Sequence, residues 1–411
     1  MTRVLLGAAL TVGAVAVAAA VAVLLTRSSP RASTTTRYVA AGGSDTGSCP
    51  ESDPCATIDY AYHLAPPGGT VELAPGTYPD EQVTTKAAKP SGSAPVTIRG
   101  EAGGVASIPG SLAFLGVRDV VVQHIQLGQL AILPSTRSTL SSGTVYSSDI
   151  ELDHVRLKNF YLRSASDITL QDSDIGHYSY LEGLGSSTIG AYDRMPPSTG
   201  IVLDHLSFAG IRRDSSPSHA ECLFLQAVVG IVIRDSRFAG CPIMAIFSQA
   251  VGTPALNPQH VTIENNVLGH PGEGGSSSIY VDYRGGTPPT NWLIRFNSFG
   301  GGLRFADGSS FPGIVVDSNV GENASGYCGA GVTYKHNVWS EVTCGATDRI
   351  GAEGYVDANA LDFRLRPCSA AIDAGNPVSY PARDIAGHER PIGRAPDAGA
   401  WEAPLPKTPC G

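Results

Sequence analysis

IVLDHLSF (201–208), IVIRDSRF (231–238) and VTIENNVL (261–268) are three copies of one eight-residue phrase, and its reading decides the fold. The phrase runs Val or Ile, any, apolar, any, polar, any, any, apolar. It starts nine times, at Val120, Ile150, Ile168, Ile201, Ile231, Val261, Trp292, Ile314 and Val332. Successive starts differ by 30, 18, 33, 30, 30, 31, 22 and 18 residues. First and third positions are almost all β-branched or aliphatic, the period-two pattern of a strand with one buried face. The sixth position becomes Asn in the last four copies, as Asn266, Asn297, Asn319 and Asn337. The eighth is apolar in every copy but one, where it is Gly321. One such strand cannot bury its face alone, whereas copies stacked at the ~4.8 Å strand spacing bury it continuously.

The phrase always returns in the same orientation, so adjacent copies are naturally parallel and need crossover connections. Further strand-like runs lie between copies: CLFLQ (222–226), IMAIF (243–247), SIYVDY (278–283) and LRFA (303–306). No long amphipathic helix separates them. The expectation is an all-β chain wound as a right-handed parallel β-helix with several short strands per turn. Gaps of 18–22 residues suit a bare turn, and gaps near 30 suit a turn carrying a loop. Asn tolerates the left-handed conformation and bonds locally, so the four Asn are expected to stack as an internal ladder that closes successive turns. A propeller would need longer repeats with aromatic signatures that are absent here.

Only 16% of residues are charged and 48 are Gly, which fits stacked turns joined by tight corners. A net charge of −9 argues against a nucleic-acid partner, because phosphate binding needs basic patches. The eight cysteines, an even set behind a leading apolar run, indicate an oxidising compartment. Sequence does not fix their connectivity; proximity suggests Cys49–Cys55, Cys222–Cys241, Cys328–Cys344 and Cys368–Cys410. No CxxC pair favours zinc. Residues 4–25 are uninterruptedly apolar and match the ~20 residues that span a bilayer. Residues 1–26 are therefore expected to anchor the chain in a membrane, with a cleaved signal as the alternative. Residues 27–37 read as a linker, 38–345 as the coil and 346–411 as a C-terminal strap closing it. Either leader puts the coil outside the cytoplasm.

The segment YVAAGGSDTGSCPESDPCATIDYAYHLAPPGGTVELAPGTY (38–78) resembles the entry of pectate-lyase-like β-helix proteins. There a strand leads to a capping helix, expected here at Thr57–Leu64, and then to a first turn over Thr70–Tyr78. The run from Asp362-Phe363-Arg364-Leu365 through Ala371-Ile372-Asp373-Ala374-Gly375 to Asp397-Ala398-Gly399-Ala400-Trp401-Glu402 is similar to the C-terminal strap of bacterial secreted β-helix proteins. The resemblance implies the fold over nearly the whole mature chain. It implies chemistry poorly, because this fold hosts lyases, epimerases, hydrolases and non-catalytic surface proteins.

The leading candidate site pairs His219 and Glu221, outward if Cys222 is buried, with Tyr280, Asp282 and Arg284, outward if Ile279 and Val281 are buried. Arg304 and Asp307 extend the row. Together they suit uronate chemistry: Arg would neutralise a sugar carboxylate, and His or Tyr would take the C5 proton. A second set, His124, His154, Asp172, His205, Asp235 and His336, occupies the fifth position of the phrases. It reads as turn capping or as one edge of a groove. A third set, Tyr178, Tyr180, Glu182, Tyr192, Asp193 and Arg194, lies in the insertion between the third and fourth phrases. Its aromatics and charges suit sugar stacking, with Tyr180, Tyr192 and Arg194 as substrate contacts. The paired-aspartate hydrolase signature with its GHG is absent, as are the motifs of classical pectate lyases. Only five lysines exist, which argues against a Lys-based lyase. No cofactor is expected, and no compact Asp cluster marks a calcium cage, leaving the metal unassigned. The expected partner is a polysaccharide. The two expected classes are a lyase or C5-epimerase on uronate polymers, and a non-catalytic envelope protein that binds glycan.

Overall fold

The structure, a computed structural model, describes residues 36–85, 92–135, 143–192, 194–216, 220–249, 256–269, 277–283, 285–286, 288–322 and 328–404. The chain winds as a parallel β-helix. Twelve strands form one long sheet, and its last nine neighbours in space are the nine phrases in sequence order. Copies pair residue for residue: Ile168 opposes Ile201, Ile201 opposes Ile231, and Ile231 opposes Val261. First positions from Val120 to Ile314 are at most 1% exposed, and third positions such as Leu152, Leu203 and Ile263 are equally buried. Val332, the last first position, is only half-buried.

Each phrase is bracketed by two left-handed residues. The residue before it has positive φ in all nine copies: Asp119, Asp149, Asp167, Gly200, Gly230, His260, Asn291, Gly313 and Gly331. So does the fifth position: His124, His154, Asp172, His205, Asp235, Asn265, Phe296, Ser318 and His336. The expected left-handed Asn is thus corrected by one place. The chain turns at position five, and position six points inward. There the four Asn do stack. The Asn297 amide donates to Asn319 Oδ1 at 3.0 Å, and Asn319 donates to Asn337 Oδ1 at 3.0 Å. Each Oδ1 also takes the backbone N–H of the preceding Asn. Ser236 continues the ladder above, and Asp348 ends it at 3.0 Å from Asn337.

Beyond each corner the chain enters a second, irregular sheet that wraps the rest of the core. Phe208 and Phe238 stack inside it, 4.5 Å apart. The helix Ile58–Leu64, capped by Thr57, buries Ile58, Ala61 and Tyr62 against the first strands. The outer edge of the first strand, Thr36–Val39, bonds the Cys49–Cys55 loop through Tyr38 N to Cys49 O at 2.9 Å. That strand starts inside the expected linker, and Arg349–Ile350 still pairs with Val338–Trp339 beyond residue 345. Disulfides join Cys49–Cys55, Cys222–Cys241 and Cys328–Cys344. Cys368 is also disulfide-bonded, and Cys410 lies outside the described residues. The expected anchor, residues 1–26, lies outside them too; among the described residues no helix is long and apolar enough to cross a membrane.

The C-terminal segment runs along the side of the coil, over the corner between the sheets. Tyr355–Asp357 and Asp362–Leu365 pair antiparallel, and the Tyr355 hydroxyl donates to Val320 O at 2.8 Å. The segment then climbs from Asn376 on Asp317, 2.9 Å, past Ser379 on Arg295, 3.1 Å, to Arg383 O on Asn265, 3.2 Å. It returns through Arg390, which donates to Asn265 Oδ1 at 3.0 Å and lies over the Phe296 ring at 4.9 Å.

Candidate functional site

The leading expected site separates into pieces. His219 and Arg284 lie outside the described residues, as does Asp193. Glu221 is not on the outer face: it alternates with the buried Leu223 and Leu225, and is 2% exposed. Its carboxylate accepts from the Ser186 hydroxyl at 2.9 Å. The outward residues of that strand are Cys222, covered by its disulfide with Cys241, and Phe224. Tyr180 joins the buried group, its hydroxyl 2.6 Å from Ser186 Oγ, and burial pushes its ionisation well up. It is therefore a packing residue rather than the exposed sugar platform expected. Glu182 instead pairs with Lys158 at 2.7 Å.

Tyr280, Asp282 and Arg304 do come together. The rings of Phe224, Phe247 and Tyr280 stack at 5.0 and 5.7 Å along the second sheet, and Arg304 lies over Tyr280 at 5.3 Å. Asp282, 4% exposed, accepts from Gln249 at 2.9 Å. Asp307 stands 3.6 Å from Arg304. Tyr192 and Arg194 are exposed in the insertion. The ladder presents ring edges, since its faces are taken up by one another.

The corner carries the denser chemistry. Because position five is left-handed on every turn, its side chains form one outward column. His124 and His154 come first, with ring centroids 5.5 Å apart, followed by Asp172, His205 and Asp235. His154 Nδ1 sits 2.6 Å from Asp153, and His205 Nδ1 sits 2.6 Å from Asp204. A carboxylate there holds the proton on Nδ1 and leaves Nε2 as the free acceptor. The outer oxygen of Asp204 takes Arg234 at 2.6 Å, which raises the Arg234 pKa chiefly through that hydrogen bond. Burial pushes the Asp235 carboxyl up, opposed by the Asn265 hydrogen bond at 2.5 Å.

Two hollows meet at Asp174. One, of about 390 Å³, is lined by His154, Asp172, His205, Asp235, Arg237 and Ile385 among others. The other, of about 500 Å³, is lined by Arg156, Lys158, Asp174 and His177 among others. The first has an imidazole–carboxylate lining and the second a cationic one, and we call the pair, joined at Asp174, the corner groove. Arg156 pairs with Asp174 at 3.3 Å, and both are largely exposed. Exposed pairs like this one and Lys158–Glu182 are worth only ~0–1 kcal/mol, so an incoming carboxylate displaces them readily.

Among the described residues, two groups bring three ligand atoms within 4.8 Å of one another: Asp153, His154 and Asp172, and Asp204, His205 and Asp235. Each mixes one imidazole with two carboxylates, a donor set for a borderline divalent ion rather than an all-oxygen calcium cage. The sequence showed no such cluster because its members sit on different turns. Asp172 is 18 residues from His154, and Asp235 is 30 from His205. The signal was the His or Asp at position five, combined with the Asp just before His154 and His205.

No family model matches the chain, and no curated protein matches it either. Solved structures with a similar coil include pectate lyase Pel9A, 17% identical over 89% of this chain and 96% of that one, with a TM-score of 0.44. A rhamnogalacturonan lyase is 12% identical over 88% of this chain and 96% of its own, TM-score 0.43. The A-module of the mannuronan C-5 epimerase AlgE4 from Azotobacter vinelandii is 11% identical over 72% of this chain and 91% of its own, TM-score 0.30. The parallel β-helix of this chain rests on its own strand order and register; at such scores and identities no residue role passes from these proteins to this chain.

Proposed function

We propose that this is an extracytoplasmic β-helix protein that acts on a uronate-containing polysaccharide, with the corner groove as its site. The observation that carries the reading is the adjacency of two linings: His154 and His205, each oriented by its own Asp, line one hollow, and Arg156, Lys158 and His177 line a second that meets it at Asp174. The disulfides, three of them between described cysteines, support an oxidising compartment.

The chemistry follows from the residues. A guanidinium or ammonium against the sugar carboxylate offsets the negative charge that develops when the C5 proton leaves. The Nε2 of a His–Asp dyad takes that proton. The electron pair left on C5 then either expels the O4 substituent, forming a C4–C5 double bond, or receives a proton on the opposite face. The first outcome is a lyase and the second an epimerase. The outer row of Tyr280, Arg304 and Asp307, with Tyr192 and Arg194, serves in this reading as an additional contact for the polymer, and the buried Asp282 supports it from below through Gln249.

The first prediction tests this. Residues 36–411 are incubated with uronate and neutral polysaccharides, reading double-bond absorbance and deuterium uptake at C5 in heavy water. His154→Asn and His205→Asn keep a residue that tolerates the left-handed corner. Loss of the general base should lower turnover ~10²–10⁴-fold in at least one of them. Arg156→Ala and Lys158→Ala should chiefly weaken binding. Full activity in both His variants, with loss in His219→Ala or Arg284→Ala, would move the site to the second sheet. A second reading is non-catalytic glycan binding, favoured by the fact that the dyads and cations also pair with neighbours on the coil surface. It holds if acidic glycans bind through Arg156 and Lys158 without being changed.

A further inference from the structure

The column of position-five side chains changes character halfway along the coil. His154 and His205 are each 57% exposed at the side chain, and Asp172 is exposed between them. Asp235 follows, half-buried, and the three members beyond it, Asn265, Phe296 and Ser318, are 2%, 0% and 0% exposed. The C-terminal strap causes the change. Arg383 and Arg390 engage Asn265, the Arg390 guanidinium covers the Phe296 ring, and Asn376 N and Gly399 N bond Ser318. The strap's Ile385 lines the same hollow as His205 and Asp235. Beside it Arg237 lies over the Trp401 ring at 4.9 Å.

The strap tip is held rigidly. Arg390 is 6% exposed and donates to Glu402 at 2.9 Å, to Asp397 O at 3.0 Å and to Gly399 O at 2.9 Å. Asp384, directly before Ile385, is 2% exposed and accepts from the backbone N–H of Ala386, His388 and Glu402. Such a clamp is a wall rather than a lid. From His124 to Asp235 the open column spans four strand spacings, about 19 Å. Among the described residues the strap does not reach the His124 side.

We infer that the groove is blind at the strap, so that it receives the end of an acidic glycan chain rather than its middle. This rests on the functional reading above and deepens it, by specifying which part of the polymer is held. A chain lying across position five of the whole coil would need the surface of Phe296 and Ser318, which the strap occupies. A chain entering from the His124 side meets Ile385 just beyond His205. His205, nearest the wall, then holds the terminal sugars, and His154 the sugars behind them.

The test uses length-fractionated polygalacturonate and alginate, from short oligomers to long chains, with the protein at saturation. Sedimentation or light scattering reads how many protein molecules each chain carries. End binding gives the same number per chain at every length. Binding that grows in proportion to chain length overturns the inference while leaving the functional reading intact. A second measurement needs no variant. Reducing the terminal aldehyde of the oligomers, or converting their other end to the unsaturated sugar, should weaken binding ~10-fold for one of the two modifications. Unchanged binding after both also overturns the inference. If no acidic glycan binds at any length, the functional reading itself falls, and this one with it. Ile385→Gly, which opens the wall without touching the clamp residues, should shift the shortest well-bound oligomer to a longer one.

Discussion

Position five repays attention at the scale of the single residue, because its backbone and its side chain make separate demands. The left-handed backbone favours Asn, Asp and Gly over bulky side chains. Seven of the nine residues there are His, Asp or Asn. The other two are Ser318 and Phe296; Phe296 is the one bulky apolar residue, and it is the one whose ring Arg390 covers. One place further on the demand reverses, since position six is sealed from water. Each ladder Asn is saturated: Asn319 donates to Ile294 O at 2.8 Å and to Asn337, and accepts twice from Asn297. Asn319→Ala would strand the backbone N–H of Asn297 and remove the amide donor to Ile294 O, while the Asn297 amide keeps Ile263 O and Arg295 O, at ~1–3 kcal/mol for each unsatisfied group. The second prediction is therefore a loss of a few kcal/mol in denaturant unfolding, without change of fold by circular dichroism. A loss under 1 kcal/mol would show that the ladder is dispensable. The Asn stacking was readable because four copies share the residue. Which residue turns was not, because Asn, Asp and His satisfy a left-handed corner and a polar surface equally well.

Among the elements, the strap and the short helix share a physical trait. Burial, together with Glu402 beside it, pushes the Asp397 carboxyl up to about 7. Burial does the same to Glu81, also up to about 7, although the carboxylate accepts from the first N–H of the helix at 3.2 Å. Both values lie far above the ~4 of an unfolded carboxyl. A group raised on folding binds its proton more tightly in the native state. Its contribution is complete below about pH 4, declines as pH rises, and is gone once pH passes about 7. The third prediction is that hydrogen exchange across 371–403 is faster at pH 8 than at pH 5, after correction for intrinsic rates. Asp397→Asn should flatten that difference. Equal protection at both pH values in the parent protein would refute it. The helix was expected at Thr57–Leu64 through the resemblance of the entry segment, and Thr57 proves to be its cap rather than its first residue. The course of the strap was not legible, because its partners lie up to 125 residues away, as Asn265 does from Arg390.

For the molecule as a whole, the coil was legible from position one and position three alone, since alternation and repetition fix both the buried face and the parallel register. The expected catalytic row was less so. Alternation was phased on Cys222, which is buried by its disulfide, whereas the core residues are Leu223 and Leu225. A coil of stacked turns must also protect its first edge. Here the helix and the Cys49–Cys55 loop do so. The fourth prediction is that Ile58→Asp, which expels the helix from Val39, Val71 and Leu73, lets coils add end to end. Size exclusion with light scattering should show dimers and larger species, while the later turns keep their exchange protection. A strictly monomeric variant would show that the loop alone seals the edge. The paired left-handed joints carry a different kind of consequence. They hold a segment of constant length, and the long sheet pairs without a single shift, whereas the second sheet slips at Ser277/Ile279, Ser298/Gly302 and Ile108/Ser111. Inheritance can therefore duplicate, delete or enlarge a whole turn between its eighth position and the next joint, and the neighbouring turns keep their phase. One residue added between the joints would invert the inside and the outside of that turn.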